Sequence, residues 1–310
     1  MKSIKYKTRR RLLKCFSFFV FHFSLFIFHF SQAQDSTIAP APRPNYKSLR
    51  WLMAAEAATY TATVVGLSSA WYQNNDYSRF RIIDDSHEWL QIDKVGHFYT
   101  SYQICRASAA LYRNTGVSQK QAAIYGAISG FMFLTPIEIL DGFQSDYGFS
   151  PSDMAANVLG PVAFLGQYAL WGEARIQPKW SFRNTNLAAI RPELLGRNNT
   201  ERWLKDYNGQ TYWFSANLYS FWPKSKLPKW LNVAVGYGVQ DMISAEIPKS
   251  RLLGYSPYRQ YYLSLDLDFT KIQTKKRWLK TIFLMANSLK IPAPAIEFSR
   301  NGVKLHGLYF

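Results

Sequence analysis

Residues 260–269 read QYYLSLDLDF and residues 231–239 read LNVAVGYGV, and this alternation of side chains decides half of the fold. Residues 211–222, TYWFSANLYSFW, repeat the pattern. A period of two is typical of β-strands whose two faces meet different surroundings. We therefore predict an antiparallel, aromatic-rich β region over residues 211–310.

The end of the chain predicts a hairpin. Residues 295–310 surround Asn301-Gly302, which is the strongest short signal for a hairpin turn. A terminal Phe310 on an aromatic strand resembles the carboxyl-terminal signature of outer-membrane β-barrel proteins. Five or six strands are predicted, whereas spanning barrels start at about eight. We expect a half-open sheet that packs on the helices or lies at a membrane.

Residues 47–176 predict a four-helix domain, because Ala, Gly, Ser and aromatic residues recur there with helical spacing. The helices are expected at residues 47–71, 91–113, 118–140 and 150–175. Ser118 with Gln121, and the run from Ser150 to Asp153, are helix-start signals. The fold class is therefore α+β, an N-terminal four-helix bundle followed by the β region, with residues 177–210 as a linker.

The start of the chain predicts export. Residues 1–14 carry seven positive charges, residues 15–30 are apolar, and small side chains precede Gln34. This is the pattern of a signal peptide over residues 1–33, cleaved after Ala33, with an uncleaved membrane anchor as the alternative. Cys15 begins the apolar run instead of following small apolar residues, so we expect no lipid attachment there.

Composition narrows the class of protein. The chain of 310 residues is 48% hydrophobic and carries a formal charge of +17, and its two cysteines exclude a disulfide scaffold. A mean hydropathy of −0.20 argues against a protein made mainly of spanning helices. Residues 34–46 form a proline-containing leader. Because the chain is exported, we predict a membrane or envelope lipid as partner and no nucleic acid; protein partners stay open.

Three pairs of polar residues lie at the ends of the predicted helices. A spacing of three or four places both members of a pair on one helical face. The pairs are Asp93 with His97, Glu138 with Asp141, and Asp153 with Asn157. Consecutive antiparallel helices would bring the end of the third helix beside the starts of the second and fourth. We therefore expect the three pairs to meet at one end of the bundle.

Such a meeting would assemble groups that bind a divalent cation or transfer protons. The candidate metal ligands and catalytic residues are His97, Glu138 and Asp153. The candidate ligand-binding residues are Asp93, Lys94, Asp141 and Asn157. So oxygen-rich a set suits magnesium or calcium better than zinc.

A second interpretation needs no chemistry. Asp153 and Asp93 can cap helices, and Lys94 can pair with a nearby carboxylate, so that the polar side chains only lock the helices together. His87 and Glu88, with the acidic residues before them, form another polar cluster, which we interpret as a solvated loop. The sequence leaves open whether the protein is an enzyme.

The polar pairs resemble a known pattern. Trp89-x3-Asp93-Lys94-x2-His97-Phe98, Glu138-x2-Asp141 and Ser150-x2-Asp153-x3-Asn157-x2-Gly160 resemble the YfiM-like family of periplasmic lipoproteins of unknown function. Their order and spacing are also similar to VanZ-like membrane proteins. The resemblance covers roughly residues 46–175 and implies an envelope protein. Its VanZ-like part implies a lipid or peptidoglycan-related ligand.

These observations favour one function and keep an alternative. We predict an exported cell-envelope protein, structural or ligand-binding, at the boundary of periplasm and membrane, in the periplasm or outer membrane. The alternative is a metal-assisted hydrolase or transferase that acts on an envelope lipid or glycan. The chain has no P-loop, dinucleotide fingerprint, nucleophile elbow or H-E-x-x-H motif.

Overall fold

A computed structural model describes residues 44–72, 79–145 and 147–310. The predicted signal peptide, most of the leader, and Cys15 lie outside these residues. The chain divides into two compact units. The helical unit is Met1–Asp84 with Thr100–Tyr168, and the sheet unit is Asp85–Tyr99 with Ala169–Phe310.

Four long helices occupy the middle of the chain, close to the predicted ranges. They are α1 (Tyr46–Tyr72), α2 (Ile92–Asn114), α3 (Gln119–Asp141) and α4 (Pro151–Trp171). The predicted caps are present: the Ser118 hydroxyl accepts a hydrogen bond from the backbone of Gln121, and the Ser150 hydroxyl accepts one from the backbone of Asp153. These bonds satisfy amides that a helix start leaves without partners.

Small residues pack the helical unit. A Cβ atom on Gly130 would lie 2.2 Å from the Cys105 Sγ atom, and one on Gly126 would lie 2.4 Å from the Cys105 carbonyl oxygen. The two glycines therefore let α3 approach α2 closely. Burial raises the pKa of the Cys105 thiol to about 12, so this cysteine is an inert core residue.

The first half of helix α3 turns small side chains inward and larger apolar ones outward, whereas Phe133 and Leu140 further along the helix are buried. Ala123 and Ala127 are buried, whereas Ile124, Ile128 and Met132 are exposed. Within the described residues, α3 is the one helix whose length and composition would suffice to cross a membrane, and 56% of its most apolar window is buried. Small side chains inside and large ones outside are common in helices that pack within lipid.

The sheet unit contains one antiparallel sheet of six strands in sequence order. They are β1 (Ile176–Phe182), β2 (Gln210–Asn217), β3 (Leu231–Gln240), β4 (Tyr258–Leu267), β5 (Ala293–Ser299) and β6 (Gly302–Tyr309). Short helices lie between the strands: α5 (Leu187–Ile190), α6 (Pro192–Leu195), α7 (Asn199–Lys205), α8 (Leu218–Phe221), α9 (Ile247–Leu252) and α10 (Arg277–Ala286). The predicted α+β class is confirmed.

Residues 177–210, which we predicted as a linker, are structured. They contain nearly all of β1 and three short helices. Strand β1 reads IQPKWSF, and its buried side chains include Gln177, Lys179 and Ser181. A strand whose buried face is polar lacks the apolar alternation by which strands are usually recognised.

The terminal hairpin forms one residue earlier than predicted. Ser299 pairs with Gly302, so the two turn residues are Arg300 and Asn301. Gly302 adopts a φ of +94° at the start of β6, a conformation that favours glycine.

The sheet curls until its two sides approach each other. The Trp180 amide of β1 donates to the Ser288 carbonyl, and the Lys290 amide donates to the Trp180 carbonyl. These bonds pair β1 with the chain just before β5. The hydroxyls of Thr211 and Tyr309 lie 3.0 Å apart and join β2 to β6.

Strand register separates an apolar outer face from an inner face that combines polar side chains with a small aromatic core. The outer face consists of three rows across paired strands. The first row is Trp180, Tyr212, Tyr237, Tyr261, Phe298 and Val303; the second is Pro178, Phe214, Val235, Leu263, Ile296 and Leu305; the third is Ile176, Ala216, Val233 and Leu265. The inner face alternates with them and includes Lys179, Trp213, Ser215, Tyr262, Asp266 and Glu297.

Candidate functional site

The predicted polar residues fall into both units. Glu138, Asp141, Asp153 and Asn157 belong to the helical unit, whereas Asp93, Lys94 and His97 belong to the sheet unit. The meeting of all three pairs, and a metal site made from His97, Glu138 and Asp153, therefore stay predictions.

In the helical unit, the end of α3 lies beside the start of α4, as predicted. The Asn157 side-chain amide donates to the Glu138 carboxylate at 3.4 Å, and both residues are buried. Asp153 is also buried, and its backbone is capped by Ser150. A buried carboxylate needs hydrogen-bond donors, and Asn157 provides one for Glu138.

In the sheet unit, Lys94 joins two carboxylates. Its Nζ atom lies 2.7 Å from an Asp85 oxygen and 3.2 Å from an Asp93 oxygen. The Tyr207 hydroxyl donates to the other oxygen of Asp93. Asp85 is buried, so the interpretation of residues 84–88 as a solvated loop is wrong at this position. The reason is its ion pair with Lys94, which the sequence does not reveal.

His97 lies beside this group without a close hydrogen bond to Asp93. The His97 Nε2 atom is 3.9 Å from the nearer Asp93 oxygen, beyond hydrogen-bond range. Burial, and then the charge of Asp85, raise the pKa of Glu88 nearby. Lys94 thus pairs with the carboxylates of both Asp85 and Asp93, and the functional and the structural interpretation of the predicted polar residues both stay predictions.

A strained turn leads into this group. Trp89, Leu90 and Gln91 have φ values of 50°, 53° and 66°, which is left-handed backbone in three successive non-glycine residues. The Tyr237 hydroxyl donates to the Leu90 carbonyl, and the Arg259 guanidinium donates to the Gln91 side chain. Such strain persists only where surrounding contacts impose it, and it is common at functional sites.

The inner face of the sheet contains a buried group of charges that the sequence analysis missed. Lys179 and Asp266 are 2.8 Å apart, and both side chains are 0% exposed. Ser215 also donates to Asp266, while Lys290 Nζ lies 3.9 Å from the other Asp266 oxygen. Burial lowers the pKa of Lys290 to about 8, and the positive charge of Lys179 lowers it further, although the negative charge of Asp266 acts to raise it.

A second missed group lines a cavity of about 500 Å³ at one end of the inner face. Glu297 accepts one hydrogen bond from the Gln260 side-chain amide at 3.0 Å, and its other oxygen lies 2.8 Å from His306 Nε2. Burial alone would raise the pKa of Glu297, but the contacts with Gln260 and His306 outweigh it and lower the pKa. Arg183 lines the same cavity.

Fold and polar groups together describe an α+β protein that buries several charged and amide side chains and whose sheet has an apolar outer face. Residues 83–167 match the family profile described as "Predicted periplasmic lipoprotein (DUF2279)". This region contains every polar residue that we predicted as a site. No curated protein matches the chain, and neither does any solved structure.

The family description confirms the predicted location: the protein is exported to the cell envelope. It also agrees with a periplasmic protein of unknown activity, and its lipoprotein label suggests association with a membrane. Cys105, the one cysteine in the described part of the chain, is buried in the core and inaccessible to an acyl chain.

Proposed function

We propose that this protein works at the boundary of periplasm and membrane, where the outer face of its sheet contacts the acyl chains of one lipid leaflet. The observation that carries the proposal is the distribution of side chains in β3, β4 and β5, together with the exposed apolar side chains of β6. Charged and amide groups are buried on the inner face, whereas Val235, Leu263 and Leu305 are exposed on the outer face. A water-soluble sheet has the opposite distribution.

The order of the three outer rows supports lipid as the occupant. The first row is mostly aromatic, and the rows after it are mostly aliphatic. Tyr and Trp favour the boundary between headgroups and acyl chains, and aliphatic side chains favour the hydrocarbon. A protein partner would give no reason for this separation along the strands.

The height of the face favours one leaflet over a full span. Neighbouring rows are two residues apart along a strand, so three rows cover ~13 Å. A bilayer has a hydrocarbon core of ~30 Å. Part of the face is already covered, since Phe98 and Tyr99 at the start of α2 pack on Phe214 and Tyr212. Phe214 keeps 43% of its surface exposed, and the strands β3 to β6 provide the rest of the exposed face.

Two features of the helical region agree with this placement. Ile124, Ile128 and Met132 are exposed on α3, and Val162 is exposed on α4. The resemblance to YfiM-like and VanZ-like proteins, which implies an envelope role and a lipid-related ligand, fits the same location.

Vesicle flotation with a double variant tests the proposal. Leu263→Asp with Leu305→Asp places two carboxylates on the outer face, each costing about 2 kcal/mol or more in hydrocarbon. We expect recovery with neutral phosphatidylcholine vesicles to fall at least tenfold. The control is Leu252→Asp on α9, because Leu252 is 87% exposed, against 80% for Leu305, and lies outside the sheet.

Three results would contradict the proposal. These are unchanged flotation of the double variant, an equal loss in the Leu252 control, or a wild-type dimer that the double variant converts to monomer without loss of flotation. The last result would assign the face to a second copy of the chain. Circular dichroism checks that each variant keeps its sheet.

A further inference from the structure

We propose that the cavity at the end of the inner face binds a phosphate group through Arg183. The cavity of about 500 Å³ is lined by residues of β3, β4, β5 and β6 and by Arg183, which follows β1. Its volume falls within the usual range for small-molecule sites and exceeds what inorganic phosphate alone would fill. We therefore expect a ligand of the size of a phosphorylated headgroup or sugar.

Arg183 has hydrogen-bond donors to spare. One terminal nitrogen donates to the neutral side chain of Gln240 at 2.7 Å, and the Tyr309 hydroxyl on the cavity wall also contacts the guanidinium. The Nε atom is buried and has no hydrogen-bond partner within the described part of the chain. No ion pair with a carboxylate is formed by Arg183 among those residues either. The Nε atom is closed off from the cavity, but a guanidinium carries five N–H donors, so terminal donors beyond the bond to Gln240 can meet an anionic ligand in the cavity.

Against the effect of burial, the negative charge of Glu297 attracts the guanidinium and helps to raise the pKa of Arg183, but no carboxylate among the described residues lies within ion-pair distance of it. Glu297 is engaged by Gln260 and His306 on its two oxygens. Asp241 also lines the cavity, at the end of β3, without forming an ion pair with Arg183. Lys304 adds a second cation to the lining. A guanidinium and an ammonium together suit a phosphate, which a guanidinium can bind with two parallel hydrogen bonds.

The phosphate can come from two sources. Gln260 of the cavity directly precedes Tyr261 of the aromatic outer row. If the outer face contacts lipid as proposed, the cavity lies near the level of lipid headgroups. A free phosphate ester from the periplasm is the other source. Only the lipid source rests on the proposed function; the phosphate site does not.

Titration calorimetry in phosphate-free buffer tests the site with the full-length protein in detergent micelles. The probes are inorganic phosphate, glycerol phosphate, short-chain phosphatidic acid and acetate. We expect saturable binding of the phosphate compounds, and a loss of at least ~10-fold in affinity in Arg183→Gln, as for other charge-assisted bonds. Arg183→Lys keeps the positive charge but loses the planar guanidinium that can form two parallel hydrogen bonds. Its affinity should therefore lie between those of the wild type and Arg183→Gln.

The control is Arg300→Gln, which removes an arginine that stacks on Tyr258 and donates to the Ser256 carbonyl. It should bind like the wild type. Tighter binding of phosphatidic acid than of glycerol phosphate assigns the site to headgroups, and equal binding assigns it to free esters. Absence of phosphate binding, equally tight acetate binding, or an equal loss in Arg300→Gln overturns the proposal. Loss of vesicle flotation with intact glycerol phosphate binding would overturn the proposed function alone.

Discussion

Lys179 and Lys290 share one buried carboxylate, and their replacement by methionine should have opposite effects. Lys179 contacts Asp266 at 2.8 Å and donates to the Leu267 carbonyl at 2.5 Å. Lys290 lies 3.9 Å from Asp266 and donates to the Ile291 carbonyl. Lys179→Met leaves Asp266 without its close partner, so we expect the free energy of unfolding to fall by about 3 kcal/mol.

Lys290→Met removes a cation that burial disfavours. Its pKa is about 8 instead of 10.5, a difference that corresponds to about 3 kcal/mol. Loss of the hydrogen bond to Ile291 offsets about 1 kcal/mol of this. We therefore expect Lys290→Met to stabilise the protein by about 1–2 kcal/mol at pH 7.

The pH dependence isolates Lys290. Its pKa is lower in the folded protein, so above pH 8 the unfolded chain binds more protons and wild-type stability rises with pH. The advantage of Lys290→Met should therefore shrink by about 1 kcal/mol between pH 7 and pH 9. Urea unfolding in detergent micelles, followed by intrinsic fluorescence, measures both effects. Destabilisation by Lys290→Met, with a difference independent of pH, would refute this reasoning.

Three further changes test other parts of the structure. Gly130→Ala should destabilise the protein by about 1–3 kcal/mol, because the new Cβ would meet Cys105. Gly166→Ala is the control and should leave the stability unchanged, because its Cβ would meet nothing within 4 Å. Equal melting temperatures of the two variants in thermal unfolding would contradict this packing. His97→Ala should lower the melting temperature only modestly, and a near-stoichiometric divalent metal lost in this variant, measured by elemental mass spectrometry, would favour the metal-site alternative. Because the pKa of Glu297 is lowered in the folded protein, its stabilising effect is present above about pH 4.5 and is lost on acidification. In unfolding experiments from pH 7 to pH 3, Glu297→Gln should therefore lose less stability than the wild type.

The helices were predictable from the sequence because their signals are local. The Ser118 cap, the spacing of Glu138 with Asp141 and the spacing of Asp153 with Asn157 each lie within about one turn of a single helix. The faces of the sheet were not predictable, because alternation has the same period whichever face is buried. Asp266 lies in a strand that the sequence revealed, yet only the pairing of strands shows that its face is buried.

The polar contacts were harder to predict than the elements that carry them. The partners of Lys94 include Asp85, in a segment with no regular spacing. The cavity combines Arg183 with Glu297 and His306. Arg183 precedes the other two residues by more than a hundred positions and shares no motif with them. Side chains brought together by strand pairing over such distances leave no local pattern in a sequence.

Quenching by brominated lipids tests the central claim most directly. With Cys15 replaced by serine, and Cys105 unreactive because it is buried, a fluorophore can be placed at Leu263→Cys, and at Leu252→Cys as control. In vesicles with bromines along the acyl chains, the account predicts strong quenching at position 263 and little at position 252. Equal quenching at the two positions, or quenching at position 263 by a water-soluble quencher instead, would contradict a lipid-facing sheet.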